Sequence, residues 1–332
     1  MRFRRPKIDP LIVLIILAVI LAIFLPARGT FAVGFDIAVK IAIALLFFLY
    51  GARLSTREAL SGLKNWKLHS LILAFTFVLF PLIGLALSPL QHWLGADMYA
   101  GILFLTLVPS TVQSSVAFTS IAKGNVAGAI VAASLSNVVG VVATPLLVLL
   151  FMTTDGSLHI DTSVFIDISL QLLAPFIVGQ LTQKWTRKLA ASPATKIVDR
   201  GSIAMVVYSA FSAGMVAGVW SSTGVWEIVF LCVLSVVLVG FMLWFTRFVA
   251  EKLGMNRGDV IAAEFCGTKK SLASGLPMAS VMFSGGALGL MILPLMLFHQ
   301  IQLMMCSWLA SRYAGEVAGA GAAGRGATGA DA

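Results

Sequence analysis

The chain has 332 residues, of which 59% are hydrophobic and only 11% charged, and its mean hydropathy is +0.98. A soluble domain carries roughly 25% charge, so this composition excludes one and describes an all-α polytopic membrane protein. The net charge of +9 sits in short clusters between apolar runs, a pattern that sets membrane topology and excludes a nucleic-acid groove. Cys232, Cys266 and Cys306 lie in apolar segments without ligand spacing and read as small core residues, so no disulfide framework or zinc site is implied.

A span needs about 20 apolar residues. Ten runs meet or approach that length: 11–26, 32–54, 67–88, 98–121, 125–150, 163–183, 200–219, 226–250, 258–283 and 286–311. The first follows MRFRRPKIDP and has no small-residue cleavage site, so it reads as a retained span rather than a signal peptide. The stretch 314–332 is Gly/Ala-rich and is expected to be disordered.

The basic residues give the orientation. One side receives Arg2, Arg4, Arg5 and Lys7, then Arg53, Arg57, Lys64 and Lys67, then Lys123. It also receives Lys184, Arg187, Lys188, Lys196, Arg200, Arg247, Lys252, Arg257, Arg312 and Arg325. The other side holds Arg28 and the acidic loop of Asp155 and Asp161. Both termini are therefore expected in the cytoplasm of a multi-pass plasma-membrane protein, the inner membrane in a bacterium. The Arg53–Lys67 cluster is read as a topology determinant that contacts anionic lipid. Lys40 lies one turn after Asp36 and is expected to pair with it.

An odd number of spans in each half inverts the second half relative to the first. The expected unit is a single transmembrane body, residues 1–313, with one repeat over about 8–150 and its inverted partner over about 160–313.

Two spans are interrupted. Pro109–Asn125 carries Pro109, Ser110, Thr111, Gln113, Ser114 and Ser115, and Glu264–Gly286 carries Glu264, Gly267, Thr268, Lys269, Lys270 and Ser271. Charge at membrane depth is costly and usually faces a protein interior or a water-filled cavity. Pro and Gly weaken helices, and backbone freed by a break is tolerated where it lines a cavity. Paired interruptions in corresponding halves point to the binding site of a secondary transporter. Hydroxyls around Pro109 supply oxygen ligands for a hard cation, although the same hydroxyls can bond back to their own helix. Asn137, with Ser134 and Ser136, would face this break from the next span. His299 and Gln300, with Gln302, bring polar groups into the last span, as packing residues or as part of a substrate cavity.

These interrupted spans and their flanks resemble the bile acid:sodium symporter superfamily, in its branch of candidate sodium-dependent transporters related to fungal and animal calcium-homeostasis membrane proteins. Pro109, Ser114, Ser115 and the Lys123-Gly124-Asn125 turn stand at places of the family's first motif; Phe298, His299 and Gln300 resemble its last-span motif. The resemblance implies a core domain with two crossed, broken helices, the fourth and ninth, and a panel domain moving against it. It also implies a small organic anion as substrate and Na+ or H+ as coupling ion, with no other cofactor. A sodium ion would draw on Ser114, Ser115 and Glu264. The chain departs from the family's pattern at two places. Ala129 and Ala133 replace hydroxyl ligands, and Lys269 and Lys270 replace neutral ones. A lysine ammonium about 4 Å from sodium repels it by several kcal/mol at an intermediate dielectric. Lys269 is therefore expected to argue against sodium coupling. It could take the ion's place, held by Glu264 and the carbonyls of the break, or carry a proton instead.

No HExxH, GxSxG or phosphate loop occurs, nor a carboxylate pair within a span, so no enzyme is expected. The alternative to a transporter is a membrane regulator of calcium homeostasis acting through a partner. Beyond the bilayer and a substrate, the residues name no partner, and nucleic acid is not expected.

Overall fold

The computed structural model describes residues 10–53, 65–152, 162–218, 224–283 and 288–327, and these are helical with short connections. The first helices are α1 (Pro10–Phe24), α2 (Gly29–Arg53) and α3 (Trp66–Ala86). They are followed by α4 (Ala96–Leu107), α5 (Gln113–Ile121) and α6 (Val126–Met152). Then come α7 (Thr162–Leu181), the short α8 (Gln183–Ala190), α9 (Thr195–Ala217) and α10 (Val225–Lys252). The chain closes with α11 (Arg257–Gly267), α12 (Leu272–Met282) and α13 (Leu288–Ala327). Among the described residues, 6 helices are long and apolar enough to cross a membrane: α2, α3, α6, α9, α10 and α13. The N-terminal basic cluster, Arg57, Lys64 and the Asp155–Asp161 loop lie outside the described residues.

Packing sorts the helices into two groups. In the first, α2 packs on α7 and α9, and α1 on α9. The α2–α7 contact depends on two glycines. A Cβ on Gly51 would fall 2.0 Å from the Phe176 carbonyl oxygen, and one on Gly179 2.0 Å from that of Phe48. Small residues allow such close approach where lipid supplies no hydrophobic drive between helices. In the second group, α13 packs on α4, α5 and α10, and α11 lies against α3, α5, α6 and α10. The groups meet where α9 touches α12 and α13, and where α7 touches α6 and α12.

Three expectations change. Arg53 is an internal brace as well as a basic flank: its guanidinium binds Asp199 at 2.7 and 3.2 Å, and its Nε donates to the Ala190 carbonyl at the end of α8 at 2.8 Å. Planar bidentate geometry suits arginine to such a junction. Asp36 accepts from Ser209 of α9 at 2.6 Å, so its interaction runs between helices rather than along one turn to Lys40. The last helix continues to Ala327, into the stretch expected to be disordered. Alanine extends a helix that is already nucleated at little cost.

Candidate functional site

Both expected interruptions are present. α4 stops at Leu107 and α5 begins at Gln113; α11 stops at Gly267 and α12 begins at Leu272. Pro109 lies inside the first break, packed where Gly140 of α6 leaves room, since a Cβ there would come within 2.6 Å of the Pro109 Cβ. Gly267 is the last residue of α11 and Pro277 lies within α12, so the second break proper is Thr268–Ser271. The two breaks touch: the Ser271 N–H donates to the Pro109 carbonyl at 2.7 Å.

A helix end leaves its last carbonyls without intrahelical partners. Here each break supplies partners to the other. The Ser110 hydroxyl donates to the Cys266 carbonyl at the end of α11 at 2.5 Å, and the Ser115 hydroxyl to that of Phe265 at 3.2 Å. In return, the Lys270 ammonium donates to the Thr106 and Val108 carbonyls at the end of α4, at 2.7 and 2.9 Å. Ser110 and Lys270 occupy the same place in the two breaks, each three residues beyond its helix end.

The following helices hold these two residues in matching ways. The Ser110 N–H donates to the Ser136 hydroxyl at 3.1 Å, and its carbonyl accepts from the Asn137 amide at 2.7 Å. Gln302 of α13 does both jobs for Lys270, accepting its N–H at 2.9 Å and donating to its carbonyl at 2.8 Å. Diverting these N–H groups frees the carbonyls four residues earlier, Thr106 and Cys266, which the opposite break then takes up. A second bond joins the halves: the Ser274 hydroxyl donates to Asn137 Oδ1 at 2.7 Å.

The third carbonyl on Lys270 Nζ comes from α3. Phe75–Leu79 forms a single π-helical turn in which the Phe80 N–H returns to Phe75. The residue five places after Thr76 is Pro81, which has no N–H. The Thr76 carbonyl is left over and accepts from Lys270 Nζ at 2.8 Å. The Phe80 ring lies 4.3 Å from the same ammonium.

Lys269 meets different surroundings. Its Nζ is buried without a hydrogen-bond partner and lies 4.0 Å from the centroid of Phe118 and 5.5 Å from that of Phe265. Glu264 is 2% exposed and accepts from the Tyr313 hydroxyl through both oxygens, at 3.1 and 3.0 Å. Tyr313 in turn accepts a short bond from Arg247. The expected Lys269–Glu264 contact is therefore replaced by two separate arrangements. Tyr313 also lines a cavity of about 260 Å³ with Arg247, Glu251 and Arg257, which connects Glu264 to that cavity through one hydroxyl.

The remaining expected residues divide by exposure. Gln113 is exposed at the N-terminus of α5, where no side chain caps the helix, and Ser114 and Asn137 are half-buried. Thr111 bonds Ser114 and Ser115 at 2.7 and 3.0 Å. Thr268 and Ser271 are buried; Ser271 caps α12 by accepting from the Ser274 N–H at 3.1 Å. His299 bonds Gln302 through Nδ1 at 2.8 Å, and Gln300 is half-buried. Ser115 and the Glu264 carboxylate, two of the groups on which sodium would draw, are turned to different partners.

This geometry accompanies a clear relationship. A family model covering residues 9–315 matches the chain. The chain belongs to the SBF-like CPA transporter family. It is 47% identical over 315 residues to an uncharacterized protein of Pseudomonas aeruginosa, covering 93% of this chain and 95% of that one. It is 43% identical over 312 residues to YfeH, a candidate symporter of Escherichia coli, covering 92% and 93%. Sodium/bile acid cotransporter 7 of Xenopus tropicalis is 30% identical over 284 residues, covering 81% of this chain and 80% of its own. This transporter is an integral membrane protein, as its apolar helices and family require.

Two contributors to the site escaped the sequence reading. Gln302 was noted only as a polar neighbour, although its i,i+3 spacing from His299 puts both on one helix face. Asp259 was not singled out. It is 8% exposed, and its carboxylate accepts from Asn65, Asn125 and Asn256 at 3.0, 2.6 and 2.8 Å. That cluster joins the starts of α3, α6 and α11, with Asn125 belonging to the Lys123-Gly124-Asn125 turn.

Proposed function

We propose that this protein is a secondary active transporter of a small organic anion, working by alternating access. The observation that carries the reading is the mutual capping of the two breaks. Ser110 and Lys270 sit at equivalent places, held by α6 and α13 respectively and each serving the other break's helix end. Such correspondence is what two inverted five-helix repeats would produce, α1–α6 against α7–α13, with ten spans and both termini cytoplasmic. The second packing group is the core in this reading, and α1, α2, α7 and α9 form the panel.

The substrate's anionic group belongs at the open N-terminus of α5. A half-helix start carries partial positive charge and unpaired N–H groups. Gln113 and Ser114 present polar groups there, Asn137 steadies the break behind them through the Ser110 carbonyl, and Lys269 and Lys270 add positive charge from within the protein. The cotransporter-7 relatives are named for bile acid, an organic anion, which supports the class of substrate. Lys269 stands where the family's pattern has a neutral ligand and argues against sodium coupling at the second break.

Counterflow uptake into proteoliposomes containing the purified protein tests this. Exchange of at least one organic anion, reduced about tenfold or more in Gln113→Leu combined with Ser114→Ala, is expected: losing about 1.4 kcal/mol of binding is a factor of ten. Absence of exchange across a broad anion panel would favour the alternative, a membrane regulator of calcium homeostasis acting through a partner.

A further inference from the structure

We infer that the Lys270 ammonium is a tethered monovalent cation, filling a main-chain carbonyl cage that would otherwise hold a free monovalent cation where the two breaks meet. The cage consists of the Thr76, Thr106 and Val108 oxygens, at 2.8, 2.7 and 2.9 Å, closed by the Phe80 ring at 4.3 Å. Three acceptors match the three donors of an ammonium, and carbonyl oxygens are equally the ligands of a hard metal cation.

The cage is built by the backbone and does not need the lysine to exist. Thr76 is released by the π-turn and Pro81, and Thr106 by the diversion of the Ser110 N–H to Ser136. Without a cation these buried dipoles would point at one another unsatisfied. Gln302 holds the Lys270 main chain on both sides, so its side chain enters the cage from a fixed origin. Ser110 marks the contrast: at the equivalent place a neutral hydroxyl suffices, because it serves one carbonyl rather than three. The cation also lies at the C-terminal end of α4, where the helix dipole favours positive charge. Lys270 is fully buried, so this charge stays with the protein while substrate comes and goes.

The consequence for transport rests on the proposed function: at this place the cycle needs no free ion. The cage itself does not rest on it, and thermal melting of the full-length protein in detergent reads it without any uptake assay. Wild-type protein in choline chloride is expected to melt at the same temperature when sodium, potassium or methylammonium chloride replaces choline. Lys270→Ala is expected to melt lower in choline and to recover with methylammonium or sodium, by a few degrees per tenfold rise in concentration. Lys270→Met is expected to lose as much and recover nothing, because its side chain blocks the cage. Lys270→Ala that responds to none of these cations, or wild-type protein that gains as much from sodium as the variant does, would overturn the inference. If Lys270→Ala yields no folded protein, purification with methylammonium present throughout decides: folding restored supports the cage, and no folding overturns it.

Discussion

Lys269 and Lys270 have identical side chains and adjacent positions, yet the structure gives their ammonium groups opposite satisfaction. Lys270 makes three charge-assisted bonds, whereas Lys269 makes none and leans on Phe118. A buried charge lacking hydrogen bonds is destabilising, and a desolvated cation–π contact offsets about 2 kcal/mol of that. Lys269→Met is therefore expected to leave stability unchanged or raise it by about 1–3 kcal/mol, the range for relieving an unsatisfied buried group. Calorimetry or thermal melting beside Lys270→Met checks this; equal losses in both would refute the distinction. Gln302 makes a second residue-scale test. Replacing it with leucine leaves the Lys270 N–H and carbonyl without their partner and should cost at least about 2 kcal/mol by the penalty for orphaned buried groups. A variant that melts with the wild type would show that the break does not depend on that amide.

At the scale of elements, the question is what a broken helix tolerates. A Cβ on Gly267 would come within 3.2 Å of Thr246 Cγ2 and 3.6 Å of Phe75 Cβ, both ordinary or slightly tight contacts. Alanine should fit after a small shift, and Thr246→Ser, which removes the nearer methyl, should ease it further. Leucine has nowhere to go without moving α10 or α3 away from the end of α11. Gly267→Leu is accordingly expected to abolish transport while expression and insertion persist, with Gly267→Ala/Thr246→Ser close to wild type. Transport surviving in Gly267→Leu would mean that the end of α11 is not held as tightly as its contacts indicate. The π-turn in α3 belongs to the same scale. Within that turn Pro81 has no N–H to offer, so the Thr76 carbonyl of a membrane helix is left unpaired, and that carbonyl completes the lysine cage.

For the whole molecule, the proposed inverted arrangement fixes which side of the membrane each loop faces. A reporter fused after Tyr313 is expected to read cytoplasmic, and one placed in the Asp155–Asp161 loop external. The reverse pattern, or both on one side, would remove the inverted repeat and with it the equivalence of Ser110 and Lys270. Arg53 also acts at this scale, because its contacts with Asp199 and Ala190 tie α2 to α9 and to the short α8. The brace lies inside the proposed panel, leaving the panel–core contacts of α7 and α9 free to slide.

The membrane class, the helical runs and the positions of both interruptions were legible from the residues alone. Those features depend on local quantities: apolar length, charge at a given depth, and the backbone limits of Pro109 and Gly267. The family was legible for the same reason, since its motifs lie in those segments. The partners of each buried charge were decided only in three dimensions. Sequence offered Glu264 as the counterion for Lys269, but Tyr313 took the carboxylate, Lys269 was left against Phe118, and three carbonyls from α3 and the end of α4 took Lys270. Main-chain carbonyls leave no mark in the sequence, because every residue has one. They become ligands only where other residues, a proline further along α3 or a serine in α6, have removed their usual donors.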